Sequence, residues 1–319
     1  MLQYLKKYWF WCLLAPIFMA GEVSMDLIQP KLMAVIVDKG VLMQNMDLII
    51  STGIRMILLV LLGGLSGILS GVCANMAGQN FGNDLRKALF GRIMQLSCEQ
   101  TDKISTGSLV TRITNDVTQV QTMVMMSVRG VIRGIILFAG GLFMLYQEAP
   151  QFALVVAACL PFIILAVIFF MKKASPMFSL VQKKLDGVNV VMQEDVAGAR
   201  VVKAYVKEDF ERERFGEAND ALCSTNLRVQ SLLAFMSPAI NLILNISVIG
   251  VIFVGGLNIK SGGGISTGAI MAAITYVTLI LHSVVFMANI FQTFSRAQAS
   301  WTRIKEVTED EPVITGGTF

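Results

Sequence analysis

The chain has 319 residues, of which 55% are hydrophobic and only 15% charged, with a formal net charge of +4 and a mean hydropathy of +0.66. Soluble proteins carry about 25% charged residues, so there is too little charge here to cover a water-facing surface, and disorder is excluded because disordered chains are poor in apolar residues. The apolar excess must face something other than water, which points to a polytopic membrane protein rather than the two or so soluble domains that the length alone would suit.

A spanning helix needs roughly 20 mostly apolar residues. Six stretches qualify: 9–37, 48–74, 120–146, 152–171, 236–259 and 268–294. The first is too long for a cleaved signal peptide, lacks a small-residue cleavage site and carries Glu22 and Asp26, so it reads as a retained anchor. Basic residues then set the orientation. Lys6 and Lys7 precede span 1; Arg86, Lys87, Arg92, Lys103 and Arg112 lie between spans 2 and 3; ten lie between Lys172 and Arg228; Arg296, Arg303 and Lys305 follow span 6. The alternate connections hold only Lys39 and Lys260. Because basic residues mark the cytoplasmic side, both termini are expected in the cytoplasm, with the chain multi-pass in a bacterial plasma membrane.

The outer connections are short. The two inner ones are long and carry helical periodicity: Leu85, Leu89, Ile93 and Leu96, then Leu109, Ile113, Val117 and Val120, and further on Val188, Met192, Val196 and Ala199. Limbs of that length project roughly 25–40 Å beyond the bilayer. Spans 2 to 5 are therefore expected to be long helices that leave the membrane, with tips that must touch something. The five cysteines are scattered and form no Cys-x-x-Cys, so neither a disulfide framework nor a zinc ribbon is indicated. A single histidine, His282, removes mechanisms that need a His pair on a helix.

At this point the sequence resembles the transmembrane domain of an ATP-binding-cassette exporter over nearly its whole length. Gln29-Pro30 and Val35-Ile36-Val37-Asp38-Lys39-Gly40 resemble that family's Pro-then-Ile-Ile-Asp-x-Gly ending of span 1. Gly107 to Val117 matches its Gly-x-Leu-x-Ser-Arg-x-x-Asn-Asp-Val pattern, with Thr111 in place of Ser. Gly198 to Tyr205, then Glu208, Arg214-Phe215 and Asn219, match the second inner connection, with Pro238 opening span 5, and Gly255-Gly256 before Thr267-Gly268 around the last outer turn.

The resemblance implies an all-α fold of six transmembrane helices with long cytoplasmic extensions. It also implies a domain-swapped dimer with a second transmembrane half, identical or not. Short coupling helices at the tips would sit on nucleotide-binding domains: Cys98, Glu99, Gln100, Thr101, Asp102 and Lys103 at the first, and Val201, Val202, Lys203, Ala204, Tyr205 and Glu208 at the second. The substrate implied is an amphipathic small molecule, lipid or peptide. The chain has no Gly-x-x-x-x-Gly-Lys-Ser/Thr, so no cofactor is assigned to it; ATP and Mg2+ belong, by the resemblance, to the parent transporter. Residues 1–306 read as the six-helix domain and 307–319 as the start of a linker to a nucleotide-binding domain, so a truncated chain is expected rather than a stand-alone subunit, and no ATP hydrolysis by the chain itself.

Ionisable groups inside a span are costly and turn toward an interior or a water-filled cavity. Glu22 and Asp26 lie four apart in span 1, Arg129 and Arg133 four apart in span 3, and counting from the outer ends puts the two pairs at similar depths. Two readings stand: a charged lining of the substrate cavity, or a structural ion network. In span 6 a polar stripe of Thr275, Thr278, His282, Asn289 and Gln292 reads as cavity lining, with interhelical hydrogen bonding as the alternative. Gly63, Gly67 and Gly71 read as a close-packing stripe, Ser261 to Gly264 as a flexible outer turn, and Arg112 and Asp116 as an i,i+4 pair. Basic residues follow the inner membrane face, so nothing indicates nucleic-acid binding. The alternatives to an exporter half are an isolated membrane binding scaffold and a secondary transporter or channel, which would not need such long inner hairpins.

Overall fold

A computed structural model of the chain describes residues 2–310, the side chains of 2, 3 and 292 aside. Every element among the described residues is helical. In chain order they are α1 (Leu2–Lys6), α2 (Trp9–Val41), α3 (Met46–Ile93), α4 (Cys98–Ile104), α5 (Thr106–Glu148), α6 (Pro150–Ala204), α7 (Glu208–Lys260) and α8 (Thr267–Glu309). All six helices other than α1 and α4 are long and apolar enough to cross a membrane. The expected extensions are present: α3, α6 and α7 run for 48, 55 and 53 residues, far beyond the 20 or so that a bilayer needs. Helix α8 continues to Glu309, three residues into the stretch read as linker, and residues 311–319 of that linker lie outside the described ones.

The chain divides into two compact units, Met1–Val155 with Gly250–Phe319, and Val156–Ile249. In the first, α2 lies along α3, and α8 packs on α5 and α2. Its inner core is built by the periodicity seen in the sequence. Phe81, Leu85, Leu89 and Ile93 of α3 form one i,i+4 stripe, which buries against Leu109, Val117, Val120 and Val124 of α5 and Ala297, Ile304 and Val307 of α8. Tyr4, Leu5 and Trp301 pack on its edge. Toward the membrane a smaller cluster, Ala15, Cys73 and Ala74, packs with Trp11, Leu14 and Phe18, whereas large apolar residues of α3 turn outward; Ile54, Ile57, Leu61, Leu65 and Ile68 are all exposed. Such a patch is untenable in water and suits a lipid-facing surface.

The outer end of this unit is closed by Asp38. It sits in a wide, π-type turn, Ile36–Val41, that ends α2, and its carboxylate accepts from the Ser266 hydroxyl and, at 2.7 Å, from the Gly268 amide. Ser266 in turn accepts from the Ala269 amide at 3.1 Å. The first orphan amides of α8 are thereby satisfied, and a negative charge faces the positive end of the helix. Gly268 is required by close approach, because a Cβ there would meet the Ala34 carbonyl.

The second unit is formed by parts of α6 and α7. Pro161 and Pro176 lie inside α6, and Pro238, expected to open span 5, lies inside an unbroken α7. Tyr205 to Lys207 join the two helices in a tight turn in which Val206 adopts φ 52° and the Lys207 amide donates to the Val202 carbonyl at 3.0 Å.

Candidate functional site

The four intramembrane charges come together in one cluster. Arg133 stands between the two carboxylates: it makes its closest contact with Glu22, and its Nη2 lies 3.4 Å from Asp26 Oδ2. Arg129 Nη2 lies 4.0 Å from Glu22 Oε2 and donates to the Gly67 carbonyl at 3.5 Å. A second wide turn, Ser127–Val131, carries Arg129, and such single-turn widenings re-aim the side chains they hold. Glycines of α3 make room for the cluster. A Cβ on Gly67 would lie 2.7 Å from Glu22 Oε2, and one on Gly71 3.2 Å from Arg129 Nη1. The stripe read as helix packing therefore also forms the floor of a charged site.

Two cavities flank this cluster, each of about 420 Å³. Arg129 and Arg133 line one, with Asn75, Met125, Met126 and Phe286 among its walls. Asp26 lines the other, with Gln29, Met33, Met56 and Thr275. The site thus presents guanidinium to one space and carboxylate to the next, each beside methionine side chains, which are soft and adaptable. The span 6 stripe does not assemble with it as a whole. Thr275 reaches the Asp26 cavity, whereas Thr278, His282 and Asn289 line neither of the two. Thr275 and Thr278 donate to carbonyls of their own helix, Met271 at 3.2 Å and Ile274 at 2.9 Å, rather than across to another. The side chain of Gln292 lies outside the described residues.

The first tip is helix α4. Ser97 and Gln100 form a capping box: the Gln100 amide donates to Ser97 Oγ at 3.3 Å and the Ser97 amide to Gln100 Oε1 at 3.1 Å. The helix stops at Ser105, whose φ of 67° turns the chain into α5. Cys98, Glu99, Asp102 and Lys103 are exposed, with Lys103 paired to Glu99 at 2.9 Å, and Thr101 is half-buried with its hydroxyl on the Ser97 carbonyl. Gln100 is buried and donates through Nε2 to Asp310 at 3.1 Å, so it belongs to the inner side of the tip.

Behind the tip the expected Arg112–Asp116 pair is replaced by two pairs to α8. Arg112 reaches Glu306 at 2.9 Å and the Arg303 carbonyl. Asp116 is held by Arg303 in a two-pronged contact, with Nε at 2.8 Å, and Arg303 also donates to Ser300 Oγ at 3.1 Å. The reason is the wide turn Arg112–Asp116, which changes the helical spacing, together with α8 running alongside.

The second tip has no separate coupling helix. Val201, Val202, Lys203 and Ala204 are the last turn of α6, Tyr205 and Val206 stand out at 74% and 80% exposure, and Glu208 opens α7 with a 3.3 Å bridge to Lys203. Next to it is a groove of about 410 Å³ with an apolar floor of Met192, Val196, Val202 and Phe215.

Residues 12–284 match the family model for the ABC transporter transmembrane region. The chain belongs to that family. Its six long helices are those of an ABC exporter transmembrane domain. It is similar to the ABC transporter ATP-binding protein YfiB of Bacillus subtilis, 34% identical over 97% of this chain and 54% of the relative. It is also similar to an ABC transporter ATP-binding protein of Mycobacterium tuberculosis, 31% identical over 87% of this chain and 48% of the relative. A more distant similarity, 24% identical over 90% of this chain and 47% of the relative, is to the ATP-dependent lipid A-core flippase of Syntrophus aciditrophicus. The chain spans about half the length of the curated relatives it matches.

Sequence reasoning missed Arg303 and Glu306, which lie 187 or more residues from their partners, and the roles of Gly67 and Gly71. For the arginine a signal was available: a buried family-type Arg-x-x-x-Asp pair needs opposite charges on whatever covers it, and α8 has Arg303 and Glu306 at a helical spacing of three.

Proposed function

We propose that this chain is the membrane-spanning translocation half of an ATP-driven exporter of amphipathic compounds, paired with a second transmembrane half and driven by nucleotide-binding domains that engage its hairpin tips. The observation that carries the reading is the Glu22–Asp26–Arg129–Arg133 cluster set between two cavities of a family-defined exporter domain. Desolvated charges are kept in a bilayer only when paired or facing water; these are paired, and Asp26, Arg129 and Arg133 also line a cavity. A substrate that meets an arginine-lined space on one side and an aspartate-lined one on the other binds by exchanging a protein ion pair for its own. The basic inner segments support placing both termini in the cytoplasm of a bacterial plasma membrane. The nucleotide-binding domains, with ATP and Mg2+, supply the driving force, and this chain contributes binding and transmission.

The test uses inverted membrane vesicles from cells expressing the gene that encodes this chain. ATP-dependent accumulation of members of a fluorescent amphiphile panel is expected. Glu22→Gln with Asp26→Asn is expected to lower apparent affinity at least ten-fold and to shift its pH dependence. Accumulation that needs no ATP would favour a secondary transporter. Unchanged affinity and pH dependence would reduce the cluster to a structural network.

A further inference from the structure

The polar network behind the first tip is more extensive than a helix cap requires. Asp116 is 4% exposed and Arg112 10% exposed at their side chains, and both are committed to α8. Their partners Arg303 and Glu306 lie one turn apart near the inner end of α8, and Asp310, which follows the last helical residue, accepts from Gln100 inside the tip helix. The inner core runs through the same elements, with Ile304 and Val307 of α8 fully buried against Leu109 of α5 and Ile93 of α3. The tip helix α4 and the start of α5, which follow one another in sequence, are thus joined to the distant last two turns of α8 by side-chain pairs above an apolar base. Among the described residues no such network holds the second tip, whose pairs Lys203–Glu208, Arg212–Asp209 and Arg214–Glu194 are all partly or fully exposed and stay within its own hairpin.

We propose that Arg303 and Glu306 are positioning residues for coupling: through Arg112 and Asp116 they make the first tip and the end of α8 one rigid body, so that displacement of the chain following Asp310 reaches the tip directly. This rests on the reading that the tip couples to nucleotide-binding domains, and adds a second route of transmission to it, through the chain rather than through the tip's exposed face. The physical vehicle is a contiguous set of packed side chains and ion pairs. Charge-assisted, two-pronged arginine–carboxylate contacts fix orientation as well as distance. Rotation of α8 then carries the start of α5 with it through Arg112 and Asp116, and α4 through Gln100.

The experiment is hydrogen exchange on the chain in lipid nanodiscs, followed at segments 97–105 and 300–309. Asp116→Asn and Arg303→Gln are each expected to speed exchange in both segments by roughly ten-fold, the size of a lost charged hydrogen bond. The double variant should exceed neither, because the two residues act as one unit. The charge reversal Asp116→Arg with Arg303→Asp should restore protection in both segments together, which separates linkage from general unfolding. Faster exchange at 300–309 with 97–105 unchanged would overturn the proposal, as would additive effects or the failure of the reversal to rescue a folded protein. The coupling reading is checked separately by maleimide labelling of the exposed Cys98 in the membranes used above, with and without ATP. If labelling is indifferent to ATP the tip is not a docking element, while the exchange result still decides whether the linkage exists.

Discussion

The two inner hairpin tips are made of different residues, polar at 98–103 and largely apolar at 201–206, and are built in opposite ways. The first is covered from within: its capping glutamine is buried, its arginine and aspartate are consumed by α8, and its apolar stripe disappears into a core. The second keeps its ion pairs on the surface and leaves Val196, Val201, Tyr205 and Val206 standing out beside an open groove. A side chain that is satisfied inside its own chain holds that chain together. One left apolar and exposed at the end of a long helix is available to another. The first tip is therefore tied into its own unit, and the second leaves its apolar side chains exposed.

The contrast breaks most sharply at the apolar base. Leu89 is fully buried under the first tip, and Leu89→Ala is expected to cost about 2–5 kcal/mol. The readout is thermal unfolding by the fluorescence of Trp301, which packs on that core. Val196→Ala at the second tip should leave the same transition unmoved; an equal loss would mean that its groove is filled from within. Next in size is the ion network. Asp116→Ala strands Arg303 and should cost about 1.5–3 kcal/mol, whereas Glu194→Ala should not shift the melting temperature measurably, because its pair with Arg214 is exposed and screened. Gln100→Ala removes both the cap and the tie to Asp310 and should lower stability by about 1 kcal/mol. Its distinguishing mark is local, with faster amide exchange confined to 97–105.

The smallest effect concerns the N-terminal staple. Lys7 and Tyr8 both donate to Asp84, at 3.0 and 2.8 Å, and the hydrogen bond to Asp84 raises both groups above their ordinary values of 10.5 and 10.0. A raised value means the contribution is complete below the ordinary pKa and is lost as pH climbs through the raised one. Exchange at residues 4–12 should therefore stay constant between pH 6 and pH 9, after correction for intrinsic rates, and loosening should begin only above about pH 10. Loosening near neutrality would show that another group governs the segment.

Much of this was legible in the sequence because apolar periodicity survives folding. The stripes Leu85–Leu89–Ile93 and Leu109–Ile113–Val117–Val120 are on the page as patterns of three- and four-residue spacing and in the structure as one core. The intramembrane charges were legible for a different reason: in an apolar span there are few polar groups, so equal depth suffices to pair Glu22 and Asp26 with Arg129 and Arg133. What stayed hidden depends on local geometry or distant partners. A wide turn changes the ladder of hydrogen bonds without changing the apolar pattern, so Arg112 and Asp116 looked like neighbours on one face. Their real partners sit on another helix, and no short-range rule reaches 187 residues. The second tip shows a different pattern: of the residues that the resemblance assigns to a coupling helix, Val201–Ala204 end α6, Tyr205 lies in the turn and Glu208 opens α7.

The closure of α8 by Asp38 has a mechanical consequence. The bonds to Ser266 and Gly268 fasten the outer ends of α2 and α8 at a single point, and α8 extends 43 residues from there. At 1.5 Å per residue the lever is about 65 Å long. A swing of about 5° around that fulcrum would sweep the inner end through about 5–6 Å, one helical turn. One carboxylate at the outer rim can thus serve as the bearing for a displacement whose full amplitude is felt at the far end of α8.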